Sequence, residues 1–158
     1  MVDKAIEKFL LAQQETFLIP MDNVAIFVDT NKLNHAVLVL SKNKYAKIPV
    51  VDKDEKFVGI VGLTEIISFM LENNLSMEEL ANYHVLEVVK EVNTVNPDYT
   101  LEEILHHLVD EPFLPVVAED NMFIGIITRK ELLKAVNALA HEFDKEYIVL
   151  RKKELVKK

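Results

Sequence analysis

Ile48–Ile67 reads IPVVDKDEKFVGIVGLTEII, and Leu114–Leu133 reads LPVVAEDNMFIGIITRKELL. The two stretches align without a gap at an offset of 66 residues, with 8 of 20 positions identical and five more exchanging Ile, Leu and Val. Pro49 matches Pro115, Phe57 matches Phe123, Gly59 matches Gly125 and Glu65 matches Glu131. Proline restricts the backbone and glycine frees it, so their coincidence in register marks one structural unit used twice.

Each copy decodes into strand, turn, strand and helix. Ile48–Val51 and Leu114–Val117 are short apolar runs of the kind that fill buried strands. Asp52–Lys56 and Ala118–Met122 are polar and turn-like, and Phe57–Val61 and Phe123–Ile127 form the return strands. Gly59 and Gly125 fall inside those strands, where glycine weakens a sheet unless another backbone or a ligand approaches closely. Thr128 and Glu131 have capping-box spacing, and Leu132, Leu133, Val136, Leu139, Ala140 and Phe143 follow at helical period. In the first copy Gly62 takes the cap position, and the helix runs through Ile66, Ile67, Met70 and Leu71. Upstream, Val24–Val28 and Val92–Val95 are expected strands, each followed by a helix. The first of these helices carries Leu33, Ala36, Val37 and Leu40. The second carries Leu101, Ile104, Leu105 and Leu108 and opens on Thr100 and Glu103.

The expected fold class is α/β (α+β): two pseudo-symmetric β-α-β-β-α units with small sheets pressed together and helices outside. The expected boundaries are an N-terminal helix at 1–15, a first unit at 16–72, a linker at 73–84, a second unit at 85–138 and a helical extension at 139–158. Ser76–Glu79 is expected to cap a short helix in the linker. Ile6, Phe9 and Leu10 form an apolar stripe, and Phe143, Tyr147 and Leu150 continue one past the second copy. Such stripes need burial against the domain or a second chain, and a symmetric homodimer is expected.

Composition bounds the function. Half of the 158 residues are hydrophobic and none is cysteine, which removes disulfides, thiol catalysis and cysteine-based metal sites. Met1–Glu15 mixes charged with apolar residues and does not read as a secretory signal, and no stretch is long and uncharged enough to span a bilayer. A cytoplasmic protein without a membrane partner is expected. The net charge of −8 argues against nucleic acid. Charge is uneven: Arg129–Lys158 holds 9 basic and 5 acidic residues, the remainder 9 and 21. A basic end on an acidic body can attract a small anion or an acidic protein. The five histidines form no zinc-protease pair with a glutamate, and three glycines supply no phosphate loop or dinucleotide fingerprint. No metal, no catalytic residue and no enzymatic activity are expected.

The pattern of a hydrophobic-Pro-Val-Val-Asp strand, a short turn, Phe-x-Gly-Ile and then Thr-x-x-acidic resembles the cystathionine-β-synthase (CBS) domain. Two copies in tandem resemble a CBS pair, or Bateman module, over roughly Thr16 to Val136. More narrowly, Asp22-Asn-Val-Ala-Ile, Lys44-Tyr-Ala-Lys-Ile-Pro-Val and Gly125-Ile-Ile-Thr-Arg-Lys are similar to the stand-alone CBS-pair proteins of Gram-positive bacteria that bind cyclic di-AMP. The resemblance implies a regulatory adenine nucleotide in the cleft between the two copies, with no other cofactor, and a regulated protein partner.

At the second copy's strand-to-helix junction, Thr128 offers a hydroxyl at a helix start, where the macrodipole favours an anion. Arg129 and Lys130 add positive charge, and arginine can fork onto phosphate oxygens. Glu131 stands where the family has a ribose-binding Asp. The resemblance assigns the other wall to Asn23, Val24, Ala25 and Ile26, through backbone groups, and to Tyr45, Ala46, Lys47 and Ile48 against the adenine. Lys42, Lys44 and Lys47 are further phosphate candidates. The mirror site, Gly62–Glu65 with Glu111–Leu114, looks degenerate: Gly62 lacks the hydroxyl, Leu63 replaces the cation and Glu111 adds negative charge. The leading expectation is a sensor of cyclic di-AMP. The alternatives are a sensor of AMP, ATP or S-adenosylmethionine, and a constitutive interaction scaffold with a vestigial site.

Overall fold

The computed structural model describes residues 1–13, 17–42 and 46–155. Packing divides the chain into two compact units. A sheet unit comprises Leu18–Tyr99 and Leu114–Ile127, and a helical unit comprises Met1–Phe17, Thr100–Phe113 and Thr128–Lys158. This division follows contacts rather than the sequence repeat: the hairpins of both copies belong to the sheet unit, while the second copy's helices belong to the helical unit.

Two three-stranded sheets carry the repeat. One runs β2 (Phe27–Val28), β3 (Lys47–Val51), β4 (Phe57–Gly62); the other runs β1 (Leu18–Pro20), β6 (Phe123–Thr128), β5 (Phe113–Val117). The hairpin strands of the two copies have the same bounds at the offset of 66, as do the starts of α3 (Leu63–Glu72) and α5 (Arg129–Glu146). Pro49 and Pro115 are each the third residue of their strand, and Gly59 and Gly125 each the third of theirs. β2 lies parallel to β3, and Val95 makes a parallel bridge to Val116 in the other sheet. The copies therefore share topology as well as sequence.

Both hairpins turn through a left-handed residue, Glu55 at φ 62° and Asn121 at φ 66°. The turns lock onto each other. Phe57 N–H donates to the Asn121 carbonyl at 2.9 Å, and Phe123 N–H donates to the Glu55 carbonyl at 3.0 Å. The copies also exchange edge strands. β1, at the start of the first copy, pairs antiparallel with β6 of the second. Lys90, near the start of the second, exchanges two hydrogen bonds with Ile60 of the first at 2.8 and 2.9 Å. This exchange explains the strand glycines. A Cβ on Gly59 would lie 2.5 Å from the Lys90 carbonyl oxygen, and one on Gly125 would collide with the Ile19 carbonyl. Gly59 and Gly125 thus mark close backbone approach, as their positions predicted.

Phe27, Leu33, Ala36, Leu40, Ile48, Val50, Val61 and Ile66 build the core under the first sheet, with α2 (Leu33–Lys42) and α3. The linker is tied down. Leu80 is fully buried in that core, Leu33 N–H donates to the Tyr83 carbonyl at 3.0 Å, and Phe69 meets Tyr83 edge-on at 5.2 Å. Its short helix is one 3-10 turn, Glu79–Asn82, with Glu79 N–H on Ser76 Oγ at 3.2 Å.

Two expectations need correction. Of the strand expected over Val24–Val28, Phe27 and Val28 alone are extended in a sheet, because Met21–Asn23 coils into a 3-10 turn just upstream. Of Val92–Val95, Val95 alone bridges. The helical extension also breaks. α5 ends at Glu146, and Tyr147 turns to extended backbone while its ring stacks on Phe143 at 4.4 Å. Leu150 therefore does not continue the stripe, and a separate short helix, α6 (Lys152–Leu155), follows. In the helical unit, α1 (Lys4–Gln13) packs its buried Phe9 edge-on against Phe143 of α5 at 5.6 Å, with Leu10 buried beside it in sequence. The chain itself thus covers much of the N-terminal stripe.

Candidate functional site

In the helical unit, Thr128 is the N-cap of α5. Its backbone is extended, and its Oγ1 accepts from Glu131 N–H at 3.2 Å. Arg129 N–H donates to the Pro112 carbonyl at 3.0 Å. Two of the first amides of α5 are thereby satisfied internally. The helix start offers an anion fewer free donors than its sequence implies.

The Arg129 side chain is also engaged. Its Nε donates to the Leu108 carbonyl at 2.8 Å and one terminal nitrogen to the Val109 carbonyl at 3.2 Å. These are carbonyls at the end of α4 (Leu101–Leu108), where a helix leaves acceptors without partners and its dipole favours a cation. The guanidinium is held in place by that bond pair. Lys130 is exposed, and Glu131 forms an ion pair with Lys134 at 2.8 Å. An open cavity of about 580 Å³ runs along this flank of α5, lined by Pro112, Arg129, Lys130, Leu133, Lys134 and Asn137. Lys134 and Asn137 were not among the expected site residues. The signal was present in the i, i+4 spacing of Lys130 with Lys134 and of Leu133 with Asn137.

In the sheet unit, Asn23–Ile26 leads into β2, and Ala46–Ile48 leads into and through the start of β3. Because those strands are parallel neighbours, both segments enter the sheet from the same end. Asn23 and Ala25 are exposed, and Val24 N–H closes a turn onto the Met21 carbonyl at 3.1 Å. Ile48 is buried and belongs to the core. Lys47 is drawn to Glu65, with Nζ 3.8 Å from Oε1. Lys44 and Tyr45 lie outside the described residues.

The mirror junction differs for a steric reason. Gly62 N–H donates to Glu65 Oε2 at 2.9 Å, so the carboxylate half of a capping box remains. A Cβ on Gly62 would lie 2.7 Å from the Ala46 carbonyl oxygen and 2.8 Å from Glu65 Oε2. A hydroxyl-bearing residue like Thr128 has no room there. Among the described residues, no cluster of His, Asp and Glu is placed to hold a metal ion, and no helix is long and apolar enough to cross a membrane.

Comparison with known proteins sets this architecture in a family. The chain is similar to cyclic di-AMP receptor B of Bacillus subtilis (strain 168), with 30% identity over 140 residues covering 87% of this chain and 95% of that protein. It is similar to the crystal structure of CbpB from Streptococcus agalactiae, with 40% identity and a TM-score of 0.88 over 96% of both chains. It is also similar to Listeria monocytogenes CbpB solved in complex with c-di-AMP, with 36% identity and a TM-score of 0.73 over 83% of this chain and 97% of that one. The CBS domain family model matches twice, over residues 18–72 and 85–138. With two copies in tandem, matched in sequence, strand register and edge exchange, this chain belongs to the CBS domain family as a CBS pair.

Proposed function

We propose that the chain is a non-enzymatic regulatory sensor that binds an adenine nucleotide, cyclic di-AMP foremost, and controls a partner protein in the cytoplasm as a homodimer. The observation that carries this reading is the similarity, over most of its length, to a relative solved with c-di-AMP bound. The CBS pair is taken as residues 16–72 and 85–138. The contact residues are Thr128, Arg129, Lys130 and Glu131 from the second copy, and Asn23–Ile26 and Tyr45–Ile48 from the first. In this reading the backbone of 23–26 holds the base edge, and Thr128 with the adjacent cations holds phosphate. Ligand binding shifts the population of one arrangement of the chain, and the partner reads that arrangement. Exposed Ile67 and Leu71, one turn apart on α3, support a dimer contact.

A second reading, a constitutive scaffold with a vestigial site, is favoured by the internal engagement of Arg129 with α4 and of Lys47 with Glu65. Thermal shift with cyclic di-AMP, AMP, ATP and S-adenosylmethionine separates the two. Ligand at about 100 times its Kd adds roughly 2.7 kcal/mol to the folded state. A clear rise in Tm with one adenine nucleotide supports the sensor; no rise with any supports the scaffold.

A further inference from the structure

The tail beyond α5 is left uncovered. Tyr147 continues from Glu146 as extended backbone. Ile148, Val149 and Leu150 follow as three consecutive large apolar residues, and the β-branched pair suits extended rather than helical backbone. All three are exposed, Ile148 to 90%, and so is Leu155 in α6. Apolar residues exposed in a row, next to charged ones, mark an interaction surface. Charge is concentrated at the same place. Arg129–Glu146 carries 4 basic and 4 acidic residues, whereas Tyr147–Lys158 carries 5 basic and 1 acidic. The whole basic excess of the C-terminal region therefore sits in the tail. Among the described residues, no carboxylate forms an ion pair with Arg151, Lys152 or Lys153.

The opposite pattern lies in the sheet unit. Phe57–Val89 holds 5 glutamates and no lysine, arginine or aspartate. α3 ends at Glu72, the left-handed Asn74 at φ 52° turns the chain, and Leu75 N–H returns to the Met70 carbonyl at 2.9 Å. On either side of this turn in sequence, Leu71 is 67% exposed and Met77 is 49% exposed. Their sequence neighbours Glu72, Glu78 and Glu79 are exposed too, and among the described residues none of the three has a cationic partner. The Glu78 side chain caps nothing, although it stands at the start of the 3-10 turn. This corner is apolar with an acidic rim, and the tail is apolar with a basic one.

We propose that the tail of one copy docks on this corner of a second copy. Ile148–Leu150 cover Leu71 and Met77, and Arg151–Lys153 face Glu78 and Glu79. With two-fold symmetry each chain gives its own tail and receives the other's, so the two contacts form together and the assembly closes. This contact rests on the homodimer reading above, to which Leu71 already belongs, and names two surfaces that the dimer joins. Outside the tail the chain has 13 basic and 25 acidic residues, so two such bodies repel, and the exchanged tails offset that repulsion. An anionic lipid surface would attract the tail but repel the same body, and would leave Leu71 and Met77 bare.

The test uses two charge-reversed full-length chains. One carries Arg151→Glu, Lys152→Glu and Lys153→Glu; the other carries Glu78→Lys and Glu79→Lys. All five positions are exposed, and circular dichroism verifies that each chain folds. Sedimentation velocity is run on the parent, on each variant alone and on the equimolar mixture. The expected result is a dimeric parent that salt weakens, and a dimer Kd raised about tenfold or more in each variant alone, where like charges face each other. The mixture should recover the parent's dimer, because each reversed tail then meets a reversed corner. Variants as dimeric as the parent would overturn the contact, leaving the homodimer standing and the tail to a different acidic protein. Weakened variants that do not recover on mixing would overturn it as well. A parent that stays monomeric removes the homodimer and the contact together.

Discussion

The rings of Phe57 and Phe123 stack with centroids 5.8 Å apart and planes 26° apart. They are the same residue of the two copies, and each donates its backbone N–H to the other copy's turn. This contact lies where the repeat meets itself. It ties the two hairpins into one sheet unit, because each turn's carbonyl accepts from the other copy's backbone.

Removing one ring tests that contact. Phe123 is 3% exposed, and Phe123→Ala is expected to cost about 3–5 kcal/mol, as for a buried phenylalanine. Phe57 is half-buried, and Phe57→Ala should cost less. Urea unfolding reads both. Equal and small losses would show that the stacked pair does not hold the hairpins together.

Gly125→Ala forces a methyl group onto the Ile19 carbonyl. The strand exchange between β1 and β6 must then shift, at a cost of about 1–3 kcal/mol. Alanine ordinarily outperforms glycine in a strand, so the sign of the change is informative. A stabilised Gly125→Ala protein would contradict the edge pairing.

The hairpins were legible because Pro49, Gly59 and their counterparts recur without a gap, and buried strands need little beyond apolar runs and turn residues. The exchange of edges was not legible. Leu18–Pro20 and Lys90 pair with strands far along the chain, and short edges carry no periodicity of their own. The helix after Thr128 was legible from its cap. The use of Arg129 was not, because its acceptors are backbone carbonyls at the end of α4, which side-chain identity does not announce. The failure of Val24–Val28 as a full strand has a local cause, the turn formed by Met21–Asn23 after Pro20.

Thr128→Ala removes the cap from α5. Loss of the hydroxyl bond to Glu131 N–H is expected to cost about 1 kcal/mol of stability. In the proposed site it also removes a phosphate donor, so nucleotide affinity should fall with it. Thr128→Ser restores the hydroxyl and should recover both. Chemical unfolding and titration on the same samples check this, and a Thr128→Ser variant that stays as weak as Thr128→Ala would count against the role.

Arg129 has two tasks in this scheme. Arg129→Ala gives up the bonds to Leu108 and Val109, costing about 1–2 kcal/mol at this partly exposed position. It should also weaken nucleotide binding roughly tenfold. Leu63→Ala, at the matched position of the first copy, should leave affinity unchanged. Lost stability with unchanged affinity would make Arg129 a helix cap and nothing more.

The central claim is that this CBS pair binds an adenine nucleotide. Isothermal titration of the intact chain with cyclic di-AMP, alongside AMP and ATP, tests it most directly. The expected result is saturable binding of cyclic di-AMP, tighter than that of either mononucleotide and weakened by added salt. The absence of saturable binding for all three nucleotides would contradict it.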